Sequence, residues 1–330
     1  MKDRLITDSY DGYEKHYPQI AALVDKQLEE QLWFATEARV ELDAMELKYK
    51  LSDEQRNAVK KLLPLFLRYE LFVGAFWVDV YGKYFPAMEC QEAATTVAMI
   101  ERVVHARFYD KINQVYGFDN DDFYLSYLDD ESFKERAKWI GGLLGGEDQR
   151  LCCLAFGLIE SAALFSAFAL LRSFQANGHN LIAATVQGTK QSALDEHLHS
   201  VILATTLRIM YAELGISVED DPRFDMLLKH AMLMYQNEEH IIDSIITGDS
   251  FNGISKEEYK LFVRCRMNDY FKRLGAKTLP FEDVPSKLDE WFNIQNSAYS
   301  EPDFFRKGQN KEYESGWSKK RLGDVWRKEV

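Results

Sequence analysis

Residues Leu151 to Leu171 read LCCLAFGLIESAALFSAFALL, and the single charge among them, Glu160, decides how the chain folds. The stretch is about as long as a bilayer span. No basic flank sets a membrane topology, however, and an acid sits at its middle. A helix buried on all sides in a large bundle explains the apolar run better. An unpaired carboxylate there would be protonated or badly destabilising, so Glu160 needs a partner from elsewhere in the chain.

Working outward, candidate partners occur at helical spacing on both sides. Glu196 and His199 lie in ALDEHLHS, residues 193–200, and Glu101 and His105 lie in IERVVHARFY, residues 100–109. Residues three or four apart share a helix face, so each pair can close on one metal ion. Glu70 and Glu160, on separate helices, can bridge the ions or complete their coordination. A bundle with one Glu from each of two helices and a Glu/His pair from each of two others is the di-iron or di-manganese carboxylate pattern. The absence of a thiolate disfavours a tetrahedral structural zinc site. A single Glu-x-x-His is usually surface decoration; here the joint pattern carries the argument. His197 is expected to face elsewhere. Glu238, Glu239 and His240 lie in a polar stretch and read as a solvated face.

The rest of the chain reads as all-α. Among 330 residues there are 18 Gly and 7 Pro, and no proline falls between Pro86 and Pro222. The pattern predicts helices over about 18–32, 52–84, 91–116, 130–145, 148–177, 181–214, 222–247 and 255–274. Ser52-Asp-Glu-Gln55 reads as a capping box, Pro64 is a possible bend, and Gly117, Gly215 and Gly275 act as stops. We expect one helical domain over 1–300, then a tail over 301–330 that is charged, scattered with aromatics and without period. Such a tail suits a recognition segment that orders on a partner, or one packed on its own domain. The net charge of −13 argues against a nucleic-acid-binding surface. Cys90, Cys152, Cys153 and Cys265 form no CxxC and suit free thiols in a reducing cytosol. The N-terminal segment lacks the apolar core of a signal peptide, so the expected location is cytoplasmic, with no membrane partner.

From roughly Trp33 to Tyr211 the chain resembles the small, radical-generating subunit of class I ribonucleotide reductase. LWFATEARVELD is similar to the family's N-terminal tryptophan segment, YELFVG to its first ligand helix and HARFY to its His-x-x-x-Tyr. LIESAALFSAF matches its third helix and LDEHLH its Asp-Glu-x-x-His. The resemblance implies a ferritin-like helical bundle with additional helices, and metal ligands Glu70, Glu101, His105, Glu160, Glu196 and His199. It implies Tyr109 as radical carrier, Trp33 with Asp195 as a hydrogen-bonded relay, and Tyr313 in the tail as the exit, with Tyr299 second. The cofactor would be two metal ions, iron first, with di-manganese or mixed manganese–iron also compatible. The apolar run with Leu164, Phe165 and Phe168 would keep the radical dry.

The implied activity is that of a ribonucleoside-diphosphate reductase small subunit. It would dock its large partner subunit through GDVWRKEV, with Val325 and Trp326 as anchors, and would form a homodimer. A ferritin-like di-metal oxidase or monooxygenase with its own substrate is the alternative. One departure stands out: the family's first pair is Glu-x-x-His, but the residue three before His105 is Arg102. Either a π-bulge brings Glu101 into the ligand role, or Arg102 occupies that position and its charge replaces a metal. The first reading is preferred, because four-residue spacing keeps Glu101 on the His105 face.

Overall fold

The computed structural model describes residues 5–8 and 13–297. Helix follows helix: α1 (Pro18–Glu29), α2 (Ala44–Tyr49), α3 (Asp53–Phe76), α4 (Gly82–Tyr84), α5 (Met88–Met99), α6 (Ala106–Tyr116) and α7 (Asp121–Leu125). There follow α8 (Glu131–Leu144), α9 (Gln149–Leu158), α10 (Leu164–Arg172), α11 (Ala183–Leu214), α12 (Phe224–Ile245), α13 (Lys256–Leu274) and α14 (Lys287–Ser297). The chain divides at Asp289/Glu290, and the unit ending at Asp289 holds every site residue described below.

Helix ends follow local chemistry. The Ser52 hydroxyl accepts from the Gln55 N–H, and the Gln55 side chain accepts from the Ser52 N–H, which opens α3 as expected. Pro64 is accommodated inside that helix. Gly117 and Gly215 end α6 and α11 with φ of 73° and 68°, a left-handed conformation costly for any side chain with a Cβ.

Among the described residues, three helices are interrupted by π-helical turns. Trp77–Tyr81 joins α3 to α4, Ile100–His105 joins α5 to α6, and Ile159–Ala163 joins α9 to α10. Joined in this way, the predicted helices over 52–84, 91–116 and 148–177 each run through a wider turn. Several elements among the described residues were not anticipated from the sequence. They include α2, α7, α14 and an antiparallel pair of two-residue strands, Ser250–Phe251 with Ile254–Ser255.

The apolar run over α9 and α10 is the centre of the core, packed against α11 and α13. It is the helix in the described residues long and apolar enough to cross a membrane, and the window that passes that test is wholly buried inside the protein. Helix α1 lies on α5 and α11 through a stripe of Ile20, Val24 and Gln27, of which only Gln27 is polar.

The polar reading of 238–240 needs correcting. Glu238 is fully buried, paired with Arg136 and accepting from the Ser166 hydroxyl. Arg136 also donates to Tyr69 and Asn237. The acid faces the core because it falls in register with Leu227, Ala231, Met234 and Tyr235 on the buried stripe of α12. Its charged partner, Arg136, lies on α8, more than a hundred residues earlier, so a local reading of polarity could not find it.

Candidate metal centre

Four segments bring the acids and imidazoles together. Helix α3 supplies Glu70, the π turn 100–105 supplies Glu101 and His105, the π turn 159–163 supplies Glu160, and α11 supplies Glu196 and His199. All six are fully buried. Their ligand atoms form two groups, Glu70–Glu101–His105–Glu196 and Glu101–Glu160–Glu196–His199, with the atoms of each group within 4.8 Å of one another.

Glu101 and Glu196 belong to both groups, and each turns one oxygen to each imidazole. Nδ1 of His105 is 3.1 Å from Glu101 Oε2 and 3.3 Å from Glu196 Oε1. Nδ1 of His199 is 2.7 Å from Glu101 Oε1 and 3.6 Å from Glu196 Oε2. Glu70 completes the His105 side at 3.5 Å and Glu160 the His199 side at 3.9 Å. Of the two roles open to Glu70 and Glu160 from the sequence, bridging or completing the coordination, the geometry fits the second: they sit at the two ends, with Glu101 and Glu196 between them.

The donor set fits a pair of cations. Both oxygens of Glu70 and of Glu196, Oε1 of Glu101, Oε2 of Glu160 and both ring nitrogens of His199 have no aligned hydrogen-bond partner among the described residues. Leaving so many buried polar atoms unsatisfied would cost several kcal/mol per charged group. Apart from close imidazole–carboxylate approaches such as His199 Nδ1 to Glu101 Oε1, they converge on common points, as ligand atoms do around a metal.

The electrostatics agree. Burial, aided by Glu101, pushes the Glu70 carboxyl well above the usual carboxylate range, and burial with Glu196 does the same to Glu160. Burial also opposes charge on Glu101, but the imidazoles of His105 and His199 outweigh it and lower its pKa. Against the same burial penalty, Glu101 and its neighbours raise His105 well above its ordinary value and His199 to about 9. Burial thus favours the neutral form of Glu70 and Glu160, while the carboxylates favour charge on the two imidazoles, and cations would compete with protons at each of these groups.

Around this cluster lie the supporting residues. His105 turns Nε2 to Asp195 Oδ2, 2.9 Å away, while the Trp33 indole N–H donates to the same oxygen at 2.8 Å. Gln27, which sequence reasoning missed, donates to Asp195 Oδ1 at 2.9 Å. Its signal was there: it is the polar interruption of the α1 stripe. Trp77 was missed as well; its indole N–H donates to Glu160 Oε1 at 2.8 Å. Trp77 lies seven residues beyond Glu70, two helical turns along the same face.

Tyr109 is fully buried one turn past His105, stacked on Phe66 at 4.4 Å, and Phe66 in turn stacks on Phe168. Burial and then the charge of Glu70 push its phenol well above the ordinary value. Arg102 is exposed; its side chain runs across Gly74, where an added Cβ would come within 2.8 Å of it. The π turn is the reason Glu101, four before His105, reaches the cluster and Arg102 does not. His197 is exposed and lies 3.3 Å from Arg273. Tyr299, Tyr313, Val325 and Trp326 fall outside the described residues.

A bundle that aims four carboxylates and two imidazoles from four segments at one buried centre is a ferritin-like carboxylate protein. The family model "Ribonucleotide reductase, small chain" matches residues 13–283, and the chain belongs to that family. No curated protein matches the sequence.

Among solved structures, the ribonucleotide reductase R2 subunit from Clostridium botulinum aligns with a TM-score of 0.76 at 18% identity, covering 85% of this chain and 89% of that one. A structure assigned to class I ribonucleotide reductase from Bacillus halodurans gives 0.75 at 17%, covering 84% and 99%. The dimanganese(II)-NrdF of Streptococcus sanguinis gives 0.73 at 16%, covering 88% and 99%. At these identities the likeness establishes the fold.

Proposed function

We propose that this chain is the radical-generating small subunit of a class I ribonucleoside-diphosphate reductase. The observation that carries the reading is the convergence of Glu70, Glu101, His105, Glu160, Glu196 and His199 on two adjoining points, with Tyr109 one turn away. These six residues would hold the metal pair, iron or manganese by their donor types. When bound, the pair supplies one-electron redox chemistry with dioxygen or an oxidant derived from it.

The surrounding chain does the rest. Burial, with the Glu70 carboxyl nearby, disfavours a Tyr109 phenolate, so losing an electron from its ring means losing the phenol proton with it. The resulting radical is kept from water by Phe66, Phe108 and Phe168. Asp195 fixes the His105 ring through Nε2 and holds the Trp33 indole on the same oxygen. That chain of hydrogen bonds is a path for an electron and a proton between the cluster and the Trp33 side. Tyr313, then the large subunit docked on GDVWRKEV, would complete the route. We assign the protein to the cytoplasm, as a homodimer acting with its large subunit.

The test is electron paramagnetic resonance on the protein reconstituted with Fe2+ and air, and separately with Mn2+. Wild type is expected to give a tyrosyl signal, and Tyr109→Phe to lose it with its metal content unchanged. A signal that survives in Tyr109→Phe would move the radical to another residue. Metal bands with no tyrosyl signal in wild type would favour an oxidase acting on its own substrate.

A further inference from the structure

We propose that Trp77 is a positioning residue that aims Glu160 Oε2 at the His199 half of the centre and restricts Glu160 to that single ligating oxygen. The proposal rests on the two-metal reading above. Both side chains are fully buried, and the indole N–H donates to Glu160 Oε1 at 2.8 Å. An indole nitrogen is a donor only, so the bond has one polarity and occupies one oxygen of the carboxylate, here Oε1. Oε2 is left without a hydrogen-bond partner, 3.9 Å from His199 Nδ1.

Glu70, at the other end, has no such restraint. Neither of its oxygens has a hydrogen-bond partner, so both are available to one cation. The two halves, alike in residue types, therefore differ in how many oxygens their terminal acid offers.

The Trp77 ring is itself well held. It lies in the π turn Trp77–Tyr81 with its centroid 4.6 Å from that of Tyr81, whose hydroxyl is bonded to Thr206 Oγ1 at 2.8 Å. Phe76 packs on it edge-on, and His199 is 6.2 Å away ring to ring. A donor so tightly placed costs little order when it orients a ligand. Outer-shell partners of this kind typically account for about 10–100-fold in metal affinity. On the His105 side the corresponding indole, Trp33, acts through Asp195 and an imidazole instead, so losing Trp77 should be felt on one half only.

The test is titration of the metal-free, full-length protein with Mn2+, reading free Mn2+ by electron paramagnetic resonance. Wild type is expected to take up two ions per chain. Trp77→Phe should keep one ion at wild-type affinity and bind the other about 10–100-fold more weakly. Trp77→Gln, which restores an N–H donor, should recover part of that loss. Two ions at wild-type affinity in Trp77→Phe would overturn the proposal and leave the two-metal reading intact. Equal weakening of both ions, unrelieved by Gln, would mean a packing role only. No Mn2+ uptake by wild type would defeat the two-metal reading itself.

Should Trp77→Phe melt early, the indole proton of Trp77 in wild type gives a second measurement with diamagnetic Zn2+. Its nuclear magnetic resonance signal is expected to move with occupancy of the His199 half. A signal unmoved after both ions bind would overturn the proposal.

Discussion

Glu101 and Arg102 are neighbours with opposite fates, and the difference is one residue of helical phase. The π turn 100–105 brings Glu101 into both ligand groups and leaves Arg102 outside against Gly74. Glu101→Ala should therefore weaken both ions, by more than the roughly 10–100-fold of an outer-shell change. Arg102→Ala should leave metal content at the wild-type level. Metal analysis of the two variants decides it, and metal loss in Arg102→Ala would contradict the geometry.

Protonation follows from the same residues. Without metal, burial raises the proton affinity of Glu70 and Glu160, and the neighbouring carboxylates raise that of His105 and His199. Cations compete with all of those protons. Groups with raised values become more fully protonated as pH falls, so Mn2+ affinity should drop steadily below about pH 9, where His199 begins to hold its proton. Calorimetry in buffers of different protonation enthalpy should show protons released on binding. Uptake with no proton release would refute this account.

At the scale of elements, the helices were legible because apolar residues, caps and glycine stops repeat along them. The predicted 255–274 helix is Lys256–Leu274, and the predicted 181–214 helix is Ala183–Leu214. The π turns at Trp77–Tyr81 and Ile159–Ala163 were not legible: a wider turn changes hydrogen-bond partners without changing composition. The turn at Ile100–His105 left a trace, because there a Glu-to-His spacing exceeds the family's by one.

Close packing between elements was equally hidden. Gly188 on α11 is where α6 approaches: a Cβ there would fall 2.3 Å from the Phe108 ring, which packs edge-on against Trp33. Gly188→Ala should cost about 1–3 kcal/mol by overpacking. Denaturant unfolding of the metal-free protein measures it, and wild-type stability would show that Phe108 has room to move.

At the scale of the whole molecule, the site and the proposed docking segment belong to different parts of the chain. All six acids and imidazoles lie before Asp289, while GDVWRKEV is at residues 323–330. Removing the chain from Ser300 onward should abolish turnover with the large subunit and leave Mn2+ stoichiometry unchanged. Full turnover by the shortened chain would end the docking assignment.

Residue types and helical period alone determined that this chain is an all-helical bundle, that Glu160 needs a partner, and that six particular side chains were candidates to supply a metal pair. Those properties are local: spacing along one helix sets which residues share a face. Only the tertiary structure decided that Glu101 and Glu196 are shared between the halves, that Gln27 and Trp77 brace the site, and that Glu238 is buried against Arg136. Each of these depends on residues far apart in sequence meeting at a set distance and angle, and helical period carries no information about the angle at which two helices cross.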